Sequence, residues 1–222
     1  MRNSLSQETV REVQVMVRVS SKFLMIAATV VFGLTASGAS AQSVEHGGVV
    51  KKNSAGGTTA ARGTAVQGAN GGSAKHGAAV ATNGQGGAVA AHGTAVTGPN
   101  GGQAARGSYV AKNGQGTVQT GSAAGFKAAN GSEGYRKSTT TVNANGSASH
   151  SGSSAISGAN GSIHSNGSIT RGANGQVNGQ RTTTATGKNG NSETISTTDN
   201  NGKLSQTKSC KDASGNSIPC GQ

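Results

Sequence analysis

The chain returns to itself at a fixed interval, and this limits what it can build. Residues 56–72 read GGTTAARGTAVQGANGG, and residues 86–102 read GGAVAAHGTAVTGPNGG. The stretch between them, 71–87 (GGSAKHGAAVATNGQGG), comes back as 101–117 (GGQAARGSYVAKNGQGT). Self-similarity at a fixed period predicts an array of equal units and not a core wrapped around one pocket. An array shows the same surface many times. That favours binding or scaffolding over catalysis in a single asymmetric cleft.

The punctuation of the array is Asn-Gly. The main series runs Asn70, Asn83, Asn100, Asn113, Asn130, Asn145, Asn160, Asn174, Asn189, Asn201, and its first steps alternate between short and long. The unit is thus about half of the full period. Asn-Gly predicts tight turns because both residues tolerate positive φ. Between the turns lie Val, Thr, Ala and Ser in β-like alternation, as in Thr139-Thr140-Thr141-Val142. Beyond Ala41 no segment carries a helical apolar stripe. One large apolar residue recurs per unit: Val66, Val80, Val96, Val110, Phe126, Val142, Ile156, Ile169. Stacked units would set these in one ladder. The expected fold is therefore an all-β repeat, either a thin β-solenoid or a meander of Asn-Gly hairpins. Helix is expected only in the signal peptide.

Composition sets a competing expectation. From Gln42 to Gln222 the large apolar residues number 18 of 181. A chain so poor in them cannot close a conventional core. Either backbone hydrogen bonding repeats along the array, or much of the chain stays disordered. The composition drifts from Ala/Val/Gly before about Phe126 to Ser/Thr/Asn beyond about Lys137. The period persists across the drift, which reads as one graded array.

Export precedes all of this. Residues 16–41 hold a basic start (Arg18, Lys22), an apolar run from Phe23 to Leu34, and Ala39-Ser40-Ala41. That is the pattern of a secretory signal peptide cut between Ala41 and Gln42. The apolar run is too short to span a bilayer comfortably. No second run follows it, so the exported chain is not expected to span a membrane. Residues 1–15 precede a complete basic start, so Met16 is an alternative initiator. The expected organisation is 1–41 as extension plus signal peptide, 42–55 as linker, 56–203 as the array, and 204–222 as a disulfide-capped tail. The destination is periplasmic, cell-surface or extracellular.

Four groups of residues are candidates for chemistry. Arg62, His76, His92 and Arg106 each open a basic-Gly-x-x-Val motif ending at Val66, Val80, Val96 and Val110. The full chain carries 19 Lys and Arg against 7 Asp and Glu. A positive ladder on such a chain would meet phosphate, sulfate or uronate groups, whereas a merely solvated face would need no partner. Cys210 and Cys220 are the only cysteines; in an exported chain they are expected to pair. His76 and His92 sit in equivalent places, but flanking Arg62 and Arg106 argue against a cation there, and no metal or other cofactor is expected. The Thr clusters 139–141, 182–184 and 197–198 suggest an ice-facing row, weakened by their irregular spacing. The acids are scattered, and no GxSxG, HExxH or Walker pattern occurs, so no catalytic residue is assigned and no enzyme is expected.

The Ala/Gly/Val units resemble head repeats of bacterial trimeric autotransporter adhesins. The chain departs from that family in its lack of a terminal barrel segment, and it lacks the Ser/Gln/Asn spacing of curli-type repeats, so no family is assigned. The expected function is that of an exported repeat protein making many weak contacts with anionic polysaccharide, lipopolysaccharide or extracellular DNA. The alternatives are a self-associating fibre subunit and a disordered exported spacer.

Overall fold

The computed structural model describes residues 43–52 and 56–221. The expected signal peptide, the alternative start and the expected Ala41/Gln42 cleavage site lie outside these residues. The described residues are all-β, forming open antiparallel sheet with no helix. They fall into two compact units that meet in sequence at Ala129/Asn130. The boundary falls inside the stretch where composition drifts.

The first unit has six strands: β1 (Ser43–Lys52), β2 (Thr58–Gln67), β3 (Ser73–Thr82), β4 (Ala88–Thr97), β5 (Gln103–Lys112) and β6 (Val118–Lys127). Each pairs antiparallel with the next along its length. The expected linker 42–55 is thus mostly strand, because β1 pairs with β2 over all ten of its residues. Its Gly47-Gly48 pair and polar ends hide the alternation that marks the other strands.

The second unit has β7 (Glu133–Val142), β8 (Ala148–Gly158), β9 (Gly161–Arg171), β10 (Val177–Gly187), β11 (Ser192–Asn200), β12 (Lys203–Lys211) and the two-residue β13 (Ser217–Ile218). Here too every strand pairs antiparallel with its successor. The expected tail, 204–222, is largely β12 and β13.

The turns explain the uneven Asn spacing. Positive φ falls on glycines 56, 71, 86, 101, 116, 131, 146 and 161, an evenly spaced series, with Gly84 out of phase and Gly175, Gly190, Gly202 and Gly215 beyond it. The asparagines alternate around this regular series. At Gly98–Gly102 the Gly101 N–H donates to the Gly98 carbonyl (3.0 Å), with Pro99 and Asn100 between them. Asn100 therefore precedes the left-handed glycine. In the turns at 83–87 and 113–117, Asn instead opens the turn. Asn113 Oδ1 accepts from the N–H groups of Gln115 (3.1 Å) and Thr117 (2.8 Å), and Asn83 does the same for Gln85 and Gly87. Asn stabilises a turn either way, by bonding backbone two residues on. Among the described asparagines only Asn201 itself takes positive φ (52°), beside Gly202 (87°). That is the two-residue Asn-Gly hairpin between β11 and β12, of the type in which both central residues are left-handed. Asn166-Gly167 and Asn178-Gly179 lie inside β9 and β10 and turn nothing.

Neither unit has a conventional core. Among the described residues the buried apolar side chains are Ala79, Ala81 and Cys210. Val80, Val96, Val110, Phe126, Ile156 and Ile169 all stay exposed. Cross-strand pairs and backbone ladders therefore carry the stability, not layered packing.

Candidate polymer-binding face

Residues opposite each other on paired strands share a face, and so do residues two apart on one strand. In the first unit this rule places Val44, Val66, Ala74, Val96, Ala104 and Phe126 in one row. The next row on that face is His46, Thr64, His76, Thr94, Arg106, Ala124. The third is Gly48, Arg62, Ala78, His92, Ser108, Ser122, and the fourth is Val50, Ala60, Val80, Ala90, Val110, Thr120.

All four residues of the expected ladder, Arg62, His76, His92 and Arg106, thus share one face, on consecutive strands. They form no straight column. Antiparallel reversal moves the basic residue between the second and third rows at each step, so the cations zigzag. His46 extends the zigzag onto β1. The apolar residues differ from expectation for the same reason. The single ladder becomes two, with Val66, Val96 and Phe126 on one flank of the cations and Val80 and Val110 on the other.

The histidines are held in a repeated geometry. His46 Nδ1 lies 3.0 Å from Thr64 Oγ1, and His76 Nδ1 lies 3.0 Å from Thr94 Oγ1. Ser108 Oγ lies 3.2 Å from His92 Nε2. Each ring meets the hydroxyl directly opposite it on the next strand. His46 and His76 engage through Nδ1, whereas Ser108 Oγ lies near both ring nitrogens of His92, 3.4 Å from Nδ1 as well as 3.2 Å from Nε2. Between residues 43 and 129 the chain has one carboxylate, Glu45. It stands on the opposite face, in a row with Ala65, Lys75 and Ala95. The cationic face therefore has no internal anion.

The opposite face of this unit is nearly side-chain-free at its centre. Gly47, Gly63, Gly77, Gly93 and Gly107 stand opposite one another across five strands, followed by Ala123. The row is hidden in the sequence because each glycine looks like part of a basic-Gly motif. Only the register lines them up. Tyr109 on this face lies against Gly121, where a Cβ would run into its ring.

In the second unit the Thr clusters divide by strand alternation. Thr139, Thr141, Thr182, Thr184 and Thr198 take one face, while Thr140, Thr183 and Thr197 take the other. On the first of these faces Ser151, Ser168, Gln180, Thr198 and Ser205 stand in one row, and Ser153, Asn166, Thr182, Ser196 and Thr207 in the next. Thr184 Oγ1 and Thr194 Oγ1 are 3.0 Å apart, and Thr198 Oγ1 and Ser205 Oγ are 2.6 Å apart. The spacing that looks irregular along the chain becomes rows of Thr and Ser hydroxyls across it, interrupted by Asn166, Gln180 and lysines. The other face holds Ile156, Ile163 and Ile169 with Arg171 and Arg181.

Cys210 and Cys220 are bonded to each other, and this fits an oxidising, exported environment. The bridge closes the C-terminal hairpin over the outer edge of β12. Within it, Asp212 accepts from the Asn216 side-chain amide (3.1 Å) and from the N–H groups of Asn216 and Ser214 (2.9 Å each). These bonds, the Asn216 side chain foremost, hold its carboxyl below the usual carboxylate range. Glu193 pairs with Lys208 at 3.1 Å, diagonally across β11 and β12.

Among the described residues no three His, Cys, Asp or Glu side chains gather as a metal site would need, and no helix is long and apolar enough to cross a membrane. Comparison with family models, curated proteins and solved structures finds no match to this chain.

Proposed function

We propose that this protein is an exported interaction protein whose first unit binds anionic polymers through the zigzag of His46, Arg62, His76, His92 and Arg106. The observation that carries the reading is the gathering of two arginines and three histidines on one face that holds no carboxylate. Strands stand about 4.8 Å apart, so the stripe crosses about 20 Å of sheet. A polymer with an acidic group on each monomer can lie across the strands and meet one Arg or His side chain per strand. Each exposed contact is weak and salt-sensitive, and their number makes the affinity. The flanking valines give sugar or base faces something apolar to rest on. The finer architecture we infer is a hairpin meander and not a coiled solenoid, because every described pairing joins chain neighbours antiparallel.

The test is retention of the full chain on polyuronate, lipopolysaccharide and duplex DNA at rising salt. Replacement of Arg62, His76, His92 and Arg106 by Ser should weaken binding at least about tenfold and flatten the salt dependence. Binding left unchanged by the four substitutions removes the stripe from the account. The three polymers separate uronate, phosphate and nucleic-acid preferences.

A second reading belongs to the second unit. Its hydroxyl face repeats at about 4.8 Å across strands and about 6.8 Å along them, which suits ordered water at an ice surface. Growth of ice crystals in the presence of the chain, shaped or unshaped, decides it.

A further inference from the structure

The outer edge of β1 carries the strongest unassigned feature. This is a ten-residue strand whose described partner, β2, occupies one side only. Long edges of this kind invite pairing, and proteins usually blunt them. The far edge of the second unit is blunted in that way, by the two-residue β13 and the Cys210–Cys220 bridge. β1 carries Lys51 and Lys52 at one end but, among the described residues, no proline, covering segment or crosslink.

We propose that β1 pairs antiparallel with β1 of a second copy of this chain, about a two-fold axis at Gly47. Three independent features select that register. First, Gly47 would face Gly47 of the second copy, and the glycine row of β1 to β5 would run unbroken into the second sheet. Second, His46 would face Gly48 of the second copy. The basic residue alternates between two rows from strand to strand, and this register alone keeps the alternation in step across the new junction. The five-residue basic stripe becomes one stripe of ten. Third, charge and apolar area match. Glu45, the one carboxylate of residues 43–129, would stand diagonal to Lys51 of the second copy, twice by symmetry. The Glu193–Lys208 pair is a diagonal ion pair of the same kind within the chain. Val44 and Val50, which are 53% and 72% exposed, would face one another across the junction.

The pairing is isologous, so it closes at two copies. Its geometry is independent of polymer binding, and its test contains no polymer. The two Gly47 positions would lie with Cα atoms about 4.5–5.5 Å apart, within disulfide range. A Cβ at Gly47 meets nothing within 4 Å, so cysteine fits there.

The experiment takes the full chain with its native disulfide and measures mass by light scattering. The expected result is a dimer that a Gly47→Cys variant locks covalently on mild oxidation, while Lys51→Cys does not lock. Glu45→Lys should weaken the dimer about tenfold, and Glu45→Lys combined with Lys51→Glu should restore it. Circular dichroism of each variant confirms that the β-sheet is retained. A monomer at tens of micromolar (an order-of-magnitude ceiling for a weak pair), an open-ended polymer, or equal locking by both cysteine variants would overturn the proposal. Locking at Gly47 with no change in polymer retention would leave the dimer standing and count against the stripe as the binding face.

Discussion

The two units share a plan and differ in what they display. Both are successions of strands nine to eleven residues long, apart from the short β13, joined by tight turns. In the first unit one face is cationic and apolar and the other is glycine and alanine. In the second, one face is rich in Thr and Ser hydroxyls and the other mixes isoleucine with charges of both signs. A layered domain could not vary so freely, because one face of each sheet would have to stay apolar to make the core. Without that layer, turns and backbone ladders specify the sheet, and both faces are open to change.

That comparison can be broken most directly by moving the charge deletion. Four substitutions to Ser in the first unit, at Arg62, His76, His92 and Arg106, should cost at least about tenfold in polyanion binding. Four in the second unit, at Arg136, Arg171, Arg181 and Lys208, should cost only a few-fold, since Glu193 and Asp199 stand on the same face among these opposite charges. Equal losses would mean that net charge, not arrangement, governs binding.

The next largest effect should come from the disulfide. Replacing Cys210 and Cys220 by Ser releases the short C-terminal loop, a loss of about 2–3 kcal/mol by loop entropy. Hydrogen exchange should show the opening in β12 and β13, with the first unit unchanged. Exchange that rises throughout the chain would show that the two units unfold together.

The turns predict a smaller loss. Gly101 has φ of 80°, so Gly101→Ala strains the backbone and should lower stability by about 1–2 kcal/mol. Gly47→Ala, at ordinary φ with space for a Cβ, should be neutral or slightly stabilising. Thermal melts of both variants sharpen the claim that turns specify the sheet.

Least of all should be the acid response of the last turn. The carboxyl of Asp212 is held below its ordinary value by hydrogen bonds. Its contribution is therefore present above the unfolded-state value and lost as pH falls through the lower, folded one. Asp212→Asn should remove that component of the acid sensitivity, read as a smaller shift in melting temperature between neutral and acid pH.

Much of the fold is legible in the residues. The Asn-Gly series predicts turns, and the Val/Thr/Ala/Ser stretches predict strands between them. Less visible is β1, because Gly47 and Gly48 interrupt the β-like composition on which a strand assignment relies. The evenly spaced glycine series is masked by Asn, which serves a turn from two different positions. A sheet and a solenoid would present the same turn pitch. The pitch alone could not tell whether Val66 and Val80 stack or stand at opposite ends of their strands.

The sequence by itself determined the turn pitch, the β character and the two cysteines that can pair. These depend on neighbours a few residues apart, through φ preference, side-chain branching and local hydrogen bonds. Which residues share a surface was decided only by the tertiary structure. Antiparallel pairing joins residues such as His76 and Thr94, or Gly63 and Gly77, by register. A shift of one residue would send each to the other face. The cationic zigzag, the glycine row and the hydroxyl surface are all products of register, and none is a run in the chain.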